Sequence, residues 1–543
     1  MIEYFFSHYF HYGFYFLLGW FSLLLYRTGL FSEIGTTLRE NKLFFILLTG
    51  VFIIIPLQNS PFNPLVHFDE HNYILSAQNI IENGAHSICA VDIDGQCQKF
   101  NIAPHGLGVG SIYALLYDYR FDIFYKKVAI LNLFLYLLNA VFMFIISNRL
   151  YSNKTVSMAS SILILLMPFN IIYATTAMPA TISNTLFLIS IYCFLQLTKF
   201  RKNENISTSI LNNVFGLSLF CALAILSTIR LEYCALLQAF LLTILCSDEF
   251  LFRWDSSEQN KILDLSKKKF LQTFQYTAIL LIVATIYCYA DFYNNMKAHS
   301  VEIGKFSPYY LHWGYVIHYF KNIGFWLLSI IFITYLIRLI IKVIKEGKFK
   351  EELFRVILFS VFFSFLTLYS FYNFQDCYRF IIPITSIYVL FSLGGLFFVL
   401  FALIKDEQRA LNVMLLCVIG IGILFVSDGI KWKEQIIIKE TNNRKFLNLI
   451  QEDNLDKLTE QYDGEVFYFF RAPYLGQVTR IHNYLDDLSL SVENLKAGAN
   501  LFYLESPFER INSSPFNNPE EFNVYKEGEL YGYGIYRIEL RIE

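Results

Sequence analysis

From residue 380 to 403 the chain runs without a single charged side chain, and apolar runs of that length recur along most of it. A run of about 20 such residues crosses a bilayer as a helix, and in hydrocarbon only a helix or a closed barrel satisfies its own backbone. That requirement constrains the fold more than any other feature. Spans are expected near 8–26, 42–58, 127–147, 155–174, 180–198, 211–229, 231–246, 271–290, 323–341, 354–372, 380–403 and 410–428, about twelve in all. Only 16% of the 543 residues are charged, against about 25% in an ordinary soluble domain. Aromatic residues reach 18%, with 56 Phe and 37 Tyr, a bulky apolar mass suited to lipid and its interface. The formal charge of −2 leaves no surplus of Lys and Arg to neutralise phosphates, which argues against a nucleic-acid partner. The fold class read from the sequence is an α-helical polytopic membrane protein.

Orientation follows from the short basic loops, which stay in the cytoplasm. Arg27, Arg39 and Lys42 fall between the first two runs, Arg149 and Lys154 between the third and fourth, and Lys199, Arg201 and Lys202 after the fifth. Lys267, Lys268 and Lys269 precede the eighth; Arg338, Lys342, Lys345, Lys348 and Lys350 follow the ninth; Lys405 and Arg409 follow the eleventh. The alternate loops 59–126, 291–322 and 373–379, and everything after 429, are therefore expected outside. The opening MIEYFFSHYFHYG has no basic n-region or small-residue cleavage site, so the first run is expected to remain as a helix.

Two parts lie outside the membrane pattern. In loop 59–126, Tyr73, Ala77, Ile80, Ile81 and Gly84 recur at helical spacing after Asp69, a plausible N-cap, which suggests an amphipathic helix on the membrane surface. ICAVDIDGQCQKF then reads as a hairpin turning at Asp94-Gly95, and APHGLGVGSIYALLYDYRF as a glycine-rich approach to a second short surface helix. Most of the nine cysteines sit in apolar runs, but Cys89 and Cys97 flank the hairpin turn in an oxidising compartment, where a disulfide is expected. The polar tail 430–543 alternates strand-like and helical segments and reads as a small extracytoplasmic α/β domain, leaving 1–429 as the transmembrane domain with 59–126 as its outer catalytic loop.

The loop also holds the motif with the most chemistry, His67-Phe68-Asp69-Glu70-His71. It fits H-x-x-E-H, a zinc signature of the inverted metallopeptidases, which needs both histidines on one helical face. Pro61 and Pro64 lie just upstream, so His67 stands before the helix and His71 within its first turn, and the ligand geometry is lost. The Asp69-Glu70 carboxylates fit the surroundings better.

Asp69-Glu70 followed by Tyr73, Ala77 and Gly84 resembles the acidic motif and surface helix in the first outer loop of the GT-C integral membrane glycosyltransferases, a superfamily that includes protein O-mannosyltransferases, lipid A aminoarabinose transferases and the catalytic subunit of oligosaccharyltransferase. The resemblance continues through APHGLGVGSIYALLYDYRF, the 155–198 hairpin, the 211–246 hairpin with Arg230 at its outer turn, and QDCYRFIIPITSIYVL with Tyr378, Arg379 and Pro383. It covers roughly residues 40 to 430. Many relatives carry a second acidic residue at the outer end of the 155–198 hairpin, where this chain has Ala177-Met178-Pro179-Ala180. A two-carboxylate or metal-assisted mechanism therefore does not transfer with the resemblance; no cofactor or metal site is indicated.

The resemblance implies an inverting transfer of a sugar from a polyprenyl-phosphate donor to a lipid, glycan or protein hydroxyl, outside a bacterial inner membrane where no nucleotide-sugar pool exists. The acceptor hydroxyl needs a base as the new bond forms; Asp69 is the candidate, with Glu70 orienting the acceptor or holding Asp69. Arg379 and Arg230 are the candidates to stabilise the departing lipid phosphate. Tyr73, His71, His105 and Tyr378 are candidate substrate contacts. A lipid-linked oligosaccharide flippase or transporter, or a polysaccharide polymerase, are the alternatives; the former favours charges or broken helices at mid-membrane, whereas the polar residues here gather at span ends.

Overall fold

A computed structural model describes residues 2–57, 68–93, 96–102, 107–200, 206–229, 323–346, 349–370, 378–451, 466–468, 484–485, 488–505, 510–530 and 533–541. The chain divides into two compact units. One comprises Met1–His11, Asn63–Tyr125 and Glu434–Glu543; the other comprises Tyr12–Phe62 and Lys126–Lys433.

The larger unit is built from the apolar runs. In chain order these are α1 (Ile2–Arg27), α2 (Leu30–Glu40), α3 (Lys42–Phe52) and α4 (Ile54–Leu57), then α7 (Phe121–Tyr151), α8 (Lys154–Leu166), α9 (Pro168–Tyr173), α10 (Ala180–Phe200) and α11 (Ile206–Ile229). After them come α12 (Ile323–Lys345), α13 (Phe349–Ser370), α14 (Tyr378–Ile404) and α15 (Glu407–Gln451). The expected spans at 231–246 and 271–290 lie outside the described residues; of the other ten, eight fall on single helices and two, 42–58 and 155–174, on broken pairs. Among the described residues four helices are long and apolar enough to cross a bilayer, Ile123–Tyr151, Gly324–Lys345, Ile382–Ile404 and Glu407–Lys431, or five if the pair His8–Arg27 and Leu30–Glu40, bent by 57°, is counted as one span. The shorter apolar helices among the described residues run to 10–17 residues. The chain is an integral membrane protein.

Local chemistry sets the helix ends. Gly29, at φ 74°, takes the left-handed turn between α1 and α2. Asn153 caps α8 by accepting from the Thr155 and Val156 amides at 3.0 and 3.1 Å. The single run expected at 155–174 is broken at Met167, because Pro168 opens a new helix. Inside the unit, polar groups find partners across helices: Thr185 donates to Asn139 at 2.8 Å, Ser386 to Asn184 at 2.7 Å and Ser161 to the Ala140 carbonyl at 2.8 Å. Arg149 grips Glu33 through Nε and Nη2, both at 2.7 Å, and donates to Gln196 at 3.0 Å, while Tyr192 donates to Glu33 at 2.5 Å. One bidentate ion pair thus ties α2, α7 and α10 together.

The smaller unit contains α5 (Phe68–Glu82), β1 (Ser87–Ile93), β2 (Gln96–Ile102) and α6 (Leu107–Ala114) from the first loop. From the tail it takes β3 (Val466–Tyr468), β4 (Tyr484–Leu485), α16 (Leu488–Lys496), β5 (Leu501–Leu504), β6 (Phe522–Leu530) and β7 (Tyr533–Leu540). All seven strands form one sheet, in the order β2-β1-β4-β3-β5-β7-β6. The loop hairpin β1–β2 joins it through Val91 opposite Leu485 and Asp92 opposite Tyr484, antiparallel; β3 runs parallel to both β4 and β5. In the hairpin, Cys89 stands opposite Phe100 and Cys97 opposite Asp92. A disulfide needs Cα atoms within roughly 7 Å, so a Cys89–Cys97 bridge requires this hairpin to shift its register.

Tyr468, Leu501, Tyr503, Phe516, Phe522 and Ile538 form the core of the tail part of the sheet. Beside it Glu505 accepts from the Gly534 amide at 2.8 Å, the Ile511 amide at 3.2 Å and the Arg510 guanidinium at 2.9 Å. Burial pushes this carboxyl up, but the two amides and the guanidinium outweigh it and hold its pKa below the usual range.

α5 is buried on most of its circumference, more than the one-sided contact expected of a surface helix: Glu70, Tyr73, Ile74, Ala77, Asn79 and Ile80 all lose nearly all their exposure. The reason is α6, which packs against it so closely that a Cβ on Gly110 would stand 2.7 Å from Ser76 Oγ. His86, fully buried, closes the junction, with Ser76 Oγ 3.4 Å from Nδ1 and Ser111 Oγ 3.0 Å from Nε2. The Phe10 ring meets its edge at a centroid distance of 5.2 Å, and His11 lies at 5.8 Å. Asn79 donates to the Ser87 carbonyl at 2.7 Å, joining α5 to the start of β1.

Two outcomes follow from this packing. Replacing residues 88–101 by a short Gly-Ser linker across the paired ends Ser87 and Ile102 removes the antiparallel neighbour of β4, and proteolysis beyond residue 433 should quicken about tenfold; an unchanged cleavage rate would show that the hairpin does not support the tail sheet. Burial, and secondarily His11, holds the His86 imidazole well below its ordinary value of 6.5, so it is neutral in the fold. Its folded pKa lies below its unfolded one, so its contribution is complete above pH ~6.5 and is lost as pH falls, at up to about 1.4 kcal/mol per unit. The melting temperature in detergent should drop more steeply from pH 6.5 to 5 for the wild type than for His86→Gln.

Candidate active site

The acidic pair sits in the first turn of α5. The helix begins at Phe68, which places Asp69 inside that turn rather than at the N-cap expected from sequence. Its backbone is thus helical, and the aligned N–H groups of a helix start favour negative charge there. The side chains of Asp69 and His71 lie outside the described residues; Glu70 is described, with none of its surface exposed. A carboxylate so placed needs donors, and Tyr125, early in α7, supplies one: its hydroxyl donates to Glu70 Oε2 at 2.5 Å. The Tyr125 ring is itself fully buried.

The other end of α5 is held in the same way. Tyr117 donates to Glu82 Oε1 at 2.5 Å, and Gln78 Nε2 meets both Glu82 oxygens at 3.1 and 3.0 Å. This second pair is exposed. Burial, together with the Glu82 and Asp118 carboxylates, pushes the Tyr117 phenol up to about 12. Gly84, at φ 66°, then turns the chain out of the helix toward β1.

The structure brings Asp69, Glu70 and Tyr73 onto one short helix, with Tyr73 buried one turn on from the pair. Tyr378 and Arg379 are the first two residues of α14, in the other unit, so Arg379 stands at a helix N-terminus. Its side chain and that of Tyr378 lie outside the described residues, as do His67, His105 and Arg230 entirely. Among the described residues no three His, Cys, Asp or Glu side chains gather as a metal set. Tyr125 was not singled out from the sequence. It lies 55 positions beyond Glu70 in a tyrosine-rich segment, and no spacing rule links the two; only the fold does.

No family model matches the sequence, and no curated protein matches it. Solved structures do. ArnT from Cupriavidus metallidurans, both bound to undecaprenyl phosphate and in the apo state, superposes with a TM-score of 0.54 at 11% identity, over 91% of this chain and 97% of its own. The Archaeoglobus fulgidus oligosaccharyltransferase, in the apo form and tethered to an acceptor peptide containing the NVT sequon, gives a TM-score of 0.51 at 10% identity, over 85% of this chain and 69% of its own. Likeness at this identity speaks to fold alone: over most of its length the chain has the fold of these two membrane-enzyme structures.

Proposed function

We propose that the protein is an inverting glycosyltransferase that moves a sugar from a polyprenyl-phosphate donor to an acceptor hydroxyl on the outer face of a bacterial inner membrane. The observation that carries this reading is the placement of Asp69 and Glu70 in the first turn of α5, in a chain whose fold matches ArnT along nearly its whole length. The undecaprenyl phosphate bound to ArnT supports a polyprenyl donor here.

In this reading Asp69 takes the acceptor proton as the oxygen attacks the anomeric carbon. A single displacement inverts the configuration and forms no sugar–enzyme bond. Glu70, without exposed surface, serves the second of its two expected roles: it holds the turn rather than meeting the acceptor. The leaving group is the lipid phosphate. Arg379 at the start of α14 combines a guanidinium with the N–H groups of a helix N-terminus, both suited to an anion. Arg230 is a second phosphate candidate, and His71, His105, Tyr73 and Tyr378 are candidate contacts to sugar or acceptor. The acceptor class is lipid, glycan or protein, and about twelve spans complete the membrane part.

Asp69→Asn in purified full-length protein should lower transfer from a polyprenyl-phosphate sugar by about 10²–10⁴-fold at normal expression; normal turnover would remove Asp69 from the base role. Arg379→Ala should raise the donor KM and reduce kcat, each by roughly tenfold, with the melting temperature kept. An unchanged donor dependence would end the phosphate assignment.

A further inference from the structure

We propose that Tyr125 is a positioning residue of the transfer site, its hydroxyl holding the Glu70 carboxylate and with it the first turn of α5. The inference rests on the glycosyltransferase reading above and adds to it a residue that neither the sequence motif nor the fold likeness assigns.

Three observations carry it. Glu70 and Tyr125 are both fully buried, and the 2.5 Å bond between them joins the first turn of α5 to the beginning of α7. A helix turns 100° per residue, so a fixed Glu70 fixes the rotation of the turn on which Asp69 stands. The far end of α5 carries the same type of bond in an exposed setting, Tyr117 to Glu82. The two bonds are chemically alike and differ in burial, where an unmade hydrogen bond to a carboxylate costs most. A tether that merely fastens the helix can be exposed; the one beside the acidic pair is dry.

The phenol also bears on charge. A hydroxyl that donates to a carboxylate favours its ionised form. Removing it raises the pH needed to keep Glu70 ionised.

The test uses full-length protein in nanodiscs, a cell-membrane extract that supplies both polyprenyl-linked sugars as donors and the endogenous lipid, glycan and protein acceptors, and released undecaprenyl phosphate as the readout. Tyr125→Phe keeps the ring and removes the bond. It should lower kcat roughly 10–100-fold, as a small misplacement of a reacting group does, leave the donor KM within about twofold, and move the acid limb of the kcat profile to higher pH. Tyr117→Phe, the exposed counterpart, should stay within about twofold with its profile unmoved. If Tyr125→Phe behaves like Tyr117→Phe while the wild type turns over, the positioning role is overturned and the glycosyltransferase reading stands. A wild type that releases no undecaprenyl phosphate from the extract overturns both. Should Tyr125→Phe fail to fold, Glu70→Met combined with Tyr125→Phe, which removes the bond without leaving a buried polar group unpaired, must show the same loss of kcat at preserved donor KM; wild-type kcat in that double variant overturns the assignment.

Discussion

A carboxylate removed from water must be met by donors, and Glu70 places that demand at the centre of the first loop. Its bond to Tyr125 joins the first turn of α5 to the start of α7. The rest of the loop reads as reinforcement of the same placement. Gly110 lets α6 come within contact of Ser76, His86 fills the junction without charge, and Asn79 carries the helix end onto β1. Helix packing alone leaves rotation about the axis soft. A directional bond to a buried acid at one end and an exposed one at the other removes that freedom.

The membrane unit solves a related problem with different means. Several of its polar side chains are paired across helices, from the Thr185–Asn139 contact to the Glu33–Arg149–Tyr192 group. Close approach is left to small residues. A Cβ on Gly394 would collide with the Tyr151 ring, and one on Gly422 with the Leu166 side chain, so these glycines leave room for a side chain of the facing helix. Association in lipid draws on such packing and pairing, since hydrocarbon tails offer helices no less apolar a neighbour than each other.

Much of this was legible in the sequence because the physics is local. Apolar runs announce helices; Asp94-Gly95 announces a hairpin; the glycine-rich stretch before Ile112 announces a second short helix. Pro168 sits within the run expected at 155–174, yet hydropathy averages over it, and the break appears only when backbone geometry is counted. Asp69, expected as an N-cap, is the second residue of the helix, a difference of two positions that is within the usual uncertainty of a helix end. Two features had no local signal. Tyr125 is one tyrosine among many until the fold brings it to Glu70. The two-residue strand β4 is too short to leave a pattern, and its pairing with β1 depends on a segment almost at the other end of the chain.

That pairing has a consequence for biogenesis. Asp92 meets Tyr484, 392 positions later in the sequence (484 − 92). At ~5–20 residues synthesised per second, roughly 20–80 s separate the emergence of the hairpin from that of its neighbour strand. In that interval most of the apolar helices must be threaded into the bilayer while one flank of β1 has no partner. An unpaired flank is a template for the wrong strand, and the irregular register around Ala90, which twists β1 locally, makes it a poor one. Completion of the sheet is then bounded by the order of translation: the ribosome has to finish nearly the whole protein before the earliest sheet element can gain its second neighbour.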